Sequence, residues 1–454
     1  MGIMKKMTFS SKKPSGSEAA SVEATDPALD IPRDVLKTHA PMSTVSDDTS
    51  TRFTTFMTIF YGFYAVTLTV YPQIHVVSSY NPMAYWTELS DEMCFAFRLL
   101  GTTIFVLCFG PYMDETFGGP GVKMAAFTRM MGLATMFGFV VFLYYSFYAP
   151  LDTAVAFMWQ GQTAFFALLL GWAITECISV ETLVSFYAKY NTALYSFFGV
   201  GLVAAPDVLF GTPSPFAYWS VWGDLSLFAG RGLGIALLGL VSVGYYYSGA
   251  KMCKLYTAFN LINFGLFIMP SFFPGESAVV SMWMIQLLIT VPVVYVGLYM
   301  ELIGATGPWK VSVAVPSIGL SLNFFNFFQV IFFVPFIVGF YTNPNLVFGP
   351  ANPVGFPMFL LEFNETSTWF CRAWATNVLM LMLAPYAFGL AALPVAKMWV
   401  VSYVGNASLF TYAIFFTSMM NTIVVAPLFA LQLGFIAWGV YVILPAQNGG
   451  TSLV

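Results

Sequence analysis

From Phe53 to Leu444 the chain is a succession of long apolar stretches parted by short breaks that hold most of the charge. The stretches cover 53–76, 94–112, 124–149, 153–175, 183–209, 227–247, 255–273, 278–300, 313–340, 369–392, 399–419 and 421–444. A helix needs about 20 apolar residues to cross a bilayer core, so the pattern predicts about twelve transmembrane helices. Continuous runs, rather than short alternating segments, argue against a porin-like barrel.

The same landmarks return three times in the same order. A bulky apolar residue is followed five positions later by a carboxylate, and seven later again by an arginine: Trp86, Asp91, Arg98; Trp219, Asp224, Arg231; Leu360, Glu365, Arg372. A small residue follows (Gly101, Gly234, Ala375), and the preceding residue is aromatic (Tyr85, Tyr218, Phe359). The helix before each motif carries a proline near its far end (Pro72, Pro206, Pro335). A Lys-Met pair opens the next helix (Lys123-Met124, Lys251-Met252, Lys397-Met398). The last helix has a glutamine three residues after an aromatic (Trp159 and Gln162, Trp283 and Gln286, Phe429 and Gln432).

This order predicts an internal triplication. A polar N-terminal tail, 1–52, precedes four-helix repeats at 53–179, 180–304 and 305–445, and a short tail, 446–454, closes the chain. An even number of helices per unit makes the repeats parallel, related by an axis along the membrane normal. The expected fold is an all-α polytopic membrane protein whose simplest packing is a pseudo-threefold ring. The third repeat has the longest loop before its arginine, containing Asn343-Pro344 and Asn352-Pro353.

Composition supports lipid as the main solvent. The chain of 454 residues is 58% hydrophobic and 8% charged, where soluble domains carry roughly 25% charge. The tail is the exception, rich in Ser, Thr, Lys and Asp, and reads as disordered. Lys5, Lys6, Lys12 and Lys13 lie beside serines, compatible with organelle targeting, but no hydrophobic segment of a cleaved secretory signal follows. Lysines collect in the tail and in the loops on its side (Lys123, Lys251, Lys254, Lys310, Lys397), while the opposite loops are acidic. The positive-inside rule therefore places both termini on the cytosolic, stromal or matrix side. No basic run suits nucleic acid.

In so apolar a chain each polar residue needs a reason. Arg98, Arg231 and Arg372 share helical faces with Asp91, Asp224 and Glu365, about two turns away. They form either Arg–carboxylate staples at an outer rim or a ring that draws an anionic solute; the carboxylates cancel the field and favour the staple. Gln162, Gln286 and Gln432 fall near mid-bilayer, where an amide must find a partner; they are interhelical glue or line a solute path. Asn323, Asn326 and Gln329 share a face of the ninth span and have the same two readings. Lys123, Lys251 and Lys397 read as inner anchors and headgroup contacts.

The five cysteines make no Cys-x-x-Cys, and there are two histidines. Zinc, dithiol, bis-histidine haem and triad chemistry are thereby disfavoured. P-loop, Rossmann, zincin and nucleophile-elbow motifs are absent. No cofactor, metal or enzymatic activity is expected. The Arg-x-x-Gly opening of the second helices resembles small four-helix membrane modules of the DoxX-like kind over about one helix per unit, and this implies nothing about function. The expected function is a transporter, channel or facilitator for a small neutral or weakly anionic solute. The alternative is a non-catalytic scaffold, or a lipid- or pigment-associated subunit of a larger membrane complex. Expected partners are membrane lipids and other membrane subunits or a second copy. The three glutamines discriminate: one shared lumen favours transport, three separate bundle interiors favour the alternative.

Overall fold

The structure is a computed structural model and describes residues 52–77, 79–116, 124–150, 152, 154–245, 249–309 and 315–447. The polar tail 1–51, Lys123, Lys310 and residues 448–454 lie outside the described residues. Among those described, all regular structure is helical.

The elements fall in three similar series. The first runs α1 (Arg52–Val70), α2 (Pro72–Val76), α3 (Asp91–Thr116), α4 (Met124–Phe147) and α5 (Ala156–Cys177). The second runs α6 (Val180–Ala204), α7 (Pro206–Phe210), α8 (Asp224–Gly244), α9 (Ala250–Phe272) and α10 (Val280–Leu302). The third opens with a broken helix, α11 (Leu322–Phe332) and α12 (Val334–Thr342), then α13 (Pro344–Val347), α14 (Glu365–Phe388), α15 (Leu393–Phe416) and α16 (Thr422–Gln447).

Local chemistry sets several of these boundaries. Pro72, Pro206 and Pro344 each open a short helix, where a residue without N–H costs nothing. Pro344, not Pro335, is thus the counterpart of the first two; Pro335 instead opens α12 after the break at Phe333. Asn364 caps α14 by accepting from Ser367 N–H at 2.8 Å, and Ser321 caps α11 by accepting from Phe324 N–H at 3.2 Å. Asp91, Asp224 and Glu365 occupy first turns, where the helix dipole favours a carboxylate.

Nine helices, among the described residues, are long and apolar enough to cross a membrane, which supports a multi-pass membrane protein. The other three expected spans, α5, α6 and α14, are long enough, at 22, 25 and 24 residues, but are not among those nine. Several of their polar groups point inward: Thr163, Asn191, Thr366, Ser367, Thr376 and Asn377 are all fully buried.

The packing is a row rather than the expected threefold ring. Within the series, α1 packs on α3 and α4 on α5; α6 packs on α8 and α9 on α10; α12 packs on α14 and α15 on α16. Between series, α5 lies along α10, while α8 is clasped by α14 and α15, and α9 packs on α14. Among the described residues no comparable helix pairing joins 52–177 to 322–447. The physical reason lies in α8. Its apolar window is 78% buried, against 17% for the matching part of α3. A Cβ on Gly234 would stand 2.8 Å from the Gly199 carbonyl oxygen, and one on Gly239 would collide with Ser402 Oγ. Close approach through small residues is how helices associate in lipid, and α8 makes it on two sides. In α3, Gly101 makes it on one side, against Ala65 and Thr69 of α1.

Gly234→Ala should therefore destabilise the protein by about 1–3 kcal/mol, the usual cost of overpacking. Gly265→Ala, whose added Cβ meets nothing within 4 Å, should be neutral or slightly stabilising. Thermal unfolding of the two variants in one detergent checks this; equal melting temperatures would refute the crossing.

Candidate functional site

Each series contains a buried stretch of extended backbone whose polar groups must be satisfied. In the first, Trp86 N–H donates to the Val76 carbonyl (2.9 Å) and Val155 N–H to the Tyr85 carbonyl (2.9 Å). In the second, Tyr218 N–H donates to the Phe210 carbonyl (2.8 Å) and Val279 N–H to the Tyr218 carbonyl (3.0 Å). In the third, Phe359 N–H donates to the Phe348 carbonyl (2.8 Å) and Asn421 N–H to the Met358 carbonyl (3.0 Å). Isolated bridges accordingly pair Trp86 with Ala154, Trp219 with Ala278 and Phe359 with Met420.

These bonds set the true register of the three motifs. Phe359, not Leu360, matches Trp86 and Trp219: it is 3% exposed, whereas Leu360 is 49% exposed. One extra residue therefore separates Phe359 from Glu365. Gln162 and Gln286 follow Val155 and Val279 by seven residues, but Gln432 follows Asn421 by eleven. Gln432 thus lies one helical turn further on, and Leu428 takes the glutamine's place.

The first two series share a second layer of bonds. Trp159 Nε1 donates to the Tyr85 carbonyl at 3.1 Å, and Trp283 Nε1 to the Tyr218 carbonyl at 3.0 Å. Tyr85 OH donates to Gln162 Oε1 at 2.7 Å, and Tyr218 OH to Gln286 Oε1 at 2.8 Å. The indoles meet edge to face, Trp86 on Trp159 at 5.1 Å and Trp219 on Trp283 at 5.4 Å. The third series has Val425 where these have Trp159 and Trp283, so it lacks the indole bond.

The three glutamines line three different cavities. Gln162 lies in a space of about 460 Å³ with Tyr85, Trp86 and Trp159. Gln286 lies in one of about 100 Å³ with Trp219, Trp283 and Asn260, closed from the next series by Trp369 and Phe370. Gln432 lies in one of about 80 Å³ with Phe359, Tyr403 and Asn406, to which α8 adds Phe228. All three walls are mostly aliphatic and aromatic.

The remaining polar residues disperse. Among the described residues no ion pair joins Arg98 to Asp91, Arg231 to Asp224 or Arg372 to Glu365, and the three arginines share no cavity. Arg98 is exposed. Arg231 lies over the Tyr412 ring, 5.9 Å from its centroid, in a polar cavity of about 350 Å³ that also contains Asp224. Glu365 accepts from Gly275 N–H (2.9 Å), Ser277 N–H (3.1 Å) and Ser277 Oγ (2.7 Å), and so ties the start of α14 to the loop before α10. Asn326 and Gln329 are fully buried while Asn323 is exposed. Asn326 Nδ2 donates to the Leu390 carbonyl at 2.7 Å, and Tyr403 OH donates to Gln329 Oε1, so this stripe fastens α11 to α15 and the turn before it. Lys251 is exposed and Lys397 half-buried, both near helix starts.

Two features were missed from the sequence. Lys254 is no loop lysine: it is 1% exposed within α9. Its Nζ donates to the Gly307 carbonyl at 2.7 Å and sits 5.1 Å from the Trp309 ring centroid. Asn260 gathers a buried network, donating to Tyr187 OH (2.9 Å) and Asn191 Oδ1 (2.8 Å) and accepting from Tyr195 OH. The signal was present, since Asn260 and Asn406 each follow a Lys-Met lysine by nine residues.

Comparison with protein-family models, curated proteins and solved structures gives no match.

Removing the Tyr218 hydroxyl leaves Gln286 Oε1 without its donor, at a cost of about 1–3 kcal/mol. Tyr218→Phe should lower thermal stability by that amount, and Tyr218→Phe with Gln286→Leu should cost less than the two single variants added together. A double-mutant cycle of detergent melts measures the coupling; additivity would mean that the bond contributes nothing.

Proposed function

We propose that the chain is an integral membrane protein of three four-helix units in one orientation, with an apolar cavity in each, the roomy first one holding a small apolar molecule, lipid tail or pigment. It is a non-catalytic, lipid- or pigment-associated component, and both termini face the cytosolic, stromal or matrix side. The observation that carries this reading is the separation of Gln162, Gln286 and Gln432 into three cavities. A carrier with a central path needs polar side chains converging on one lumen, and these diverge. Energetics point the same way. An empty apolar cavity costs about 24 cal/mol per Å³, so the middle space of about 100 Å³ would cost roughly 2 kcal/mol unfilled. An apolar occupant recovers that energy, while a polar solute would pay desolvation against a wall with few partners.

One observation favours the second reading, facilitated passage of a small polar or weakly anionic solute. It is the polar cavity between α8 and α15 with Asp224, Arg231, Thr417 and Ser418 in its wall. This cavity lies apart from the glutamines, so the two readings have separable residues.

Purification from the native membrane, organic extraction and mass spectrometry of the extract test the proposal. One to three apolar molecules should co-purify per chain, and Trp159→Ala with Trp283→Ala should reduce their number. If nothing apolar is retained, and proteoliposomes show solute flux that Arg231→Gln abolishes, the second reading replaces the first.

A further inference from the structure

A cavity of a different kind lies where α8 begins and α15 ends. Asp224 opens the apolar span of α8 and Phe416 closes that of α15, so the space of about 350 Å³ between them sits at the level where both spans stop. In a multi-pass protein that level is the bilayer interface, where aromatic side chains collect. Tyr412 and Phe416 line the cavity and are 46% and 76% exposed, so it is open toward the side. Its wall is divided. Phe228, Leu409 and Met419 are apolar and buried, whereas Asp224, Arg231 and Ser418 bring polar groups that are exposed or half-buried. Among the described residues none of these three side chains has a hydrogen bond or an ion pair, and Arg231 has only the Tyr412 ring beside it. Within the chain, the Asp224 carboxylate serves its helix dipole alone. The other series build no such site: Arg98 is exposed, and Glu365 is engaged by Gly275 and Ser277.

A guanidinium at the membrane boundary calls for an anion, and its fork of donors matches phosphate. A purely anionic ligand is disfavoured, because the Asp224 charge faces the same space. Asp224 and Ser418 offer oxygen acceptors to a primary ammonium, which donates, whereas a quaternary ammonium has no N–H to give. The charges are also ordered. Arg231 is seven residues further into α8 than Asp224 on one helical face, roughly 10 Å along the axis. From the boundary inward the wall is therefore negative, then positive. We infer that this cavity binds the head group of an aminophospholipid, with the phosphate ester on Arg231 and the primary ammonium toward Asp224 and Ser418. A phospholipid presents its charges in that order, since its phosphate lies between the ammonium and the acyl chains. The same zwitterion occurs in water as a soluble phosphoethanolamine ester. The apolar part of the wall and the open side favour the lipid, whose glycerol and acyl chains need such surface. The site is separate from the three apolar cavities, so the inference does not depend on what they hold. It gives the polar cavity a resident lipid in place of a passing solute.

Native mass spectrometry of the delipidated full chain in detergent tests this, with titrations of dioleoyl phosphatidylethanolamine, phosphatidylcholine and phosphatidylglycerol. The ethanolamine lipid should bind about fivefold more tightly than either of the others, the scale of one partly exposed ion pair. Arg231→Gln should weaken it by a similar factor. Asp224→Asn, a change at an exposed position, should bring phosphatidylglycerol level with phosphatidylethanolamine or above it. Arg98→Gln, at the matching place in the first series, should leave all three affinities unchanged. Soluble glycerophosphoethanolamine at the lipid's own concentration should not displace the lipid; displacement would overturn the lipid as the source of the head group. Equal binding of the three lipids by the parent protein, or a ranking that survives both Arg231→Gln and Asp224→Asn, would overturn the inference altogether.

Discussion

A buried chain that leaves its helix must still pair each peptide N–H and C=O, since no water reaches them there. The segments around Trp86, Trp219 and Phe359 are the solution this protein repeats. A single extended residue is held between the end of a short helix and the loop that opens the last long helix. Because the bonds are backbone to backbone, they persist where the side chain changes from Trp to Phe. Because they come from sequence-distant loops, they fix where the last helix of each series begins and hence which of its side chains face the interior. The positions of Trp159, Gln162, Trp283 and Gln286 in the cavities follow from that clamp.

The three series are alike in their clamps and unlike in their surroundings. The middle series has neighbours on both sides, and its second helix is built for this, with small residues toward α6 and again toward α15. Trp369 and Phe370 of the next series enter the wall of its cavity. The first series meets its neighbour mainly where α5 lies along α10, keeps a roomier cavity, and leaves much of α3 and α4 facing outward. The middle series and the two outer ones thus bury different faces.

That asymmetry also explains what the sequence could and could not reveal. Helix existence was legible because hydrophobic content dominates in lipid, and the Tyr-Trp pair and the glutamines were legible because a polar or bulky side chain has few alternatives there. The register of the third motif was not. Spacing alone favoured Leu360, with its five-residue step to a carboxylate, and only the backbone bonds single out Phe359. The partner of Glu365 was equally hidden. A carboxylate and an arginine on one helical face suggest a pair, yet two turns is a long reach, and the loop at 275–277 offers three donors at once. Ring against row was illegible for a simpler reason. A repeat pattern states that units are similar and says nothing about which faces meet.

Glu365 shows how the row is locked at the end where the clamps lie. Asp91 and Asp224 begin their helices exposed, where a carboxylate only complements the dipole. Glu365 begins its helix half-buried, with three hydrogen bonds into the neighbouring series. Charge-assisted bonds of this kind are roughly twice as strong as neutral ones. Gly275 completes the fit, because a side chain there would occupy the carboxylate's place. The extra methylene of Glu over Asp and the one-residue insertion after Phe359 serve the same end, moving the carboxylate across the junction. In this view the third motif departs from the first two where it does because its carboxylate bonds to the neighbouring series instead of serving its own helix alone.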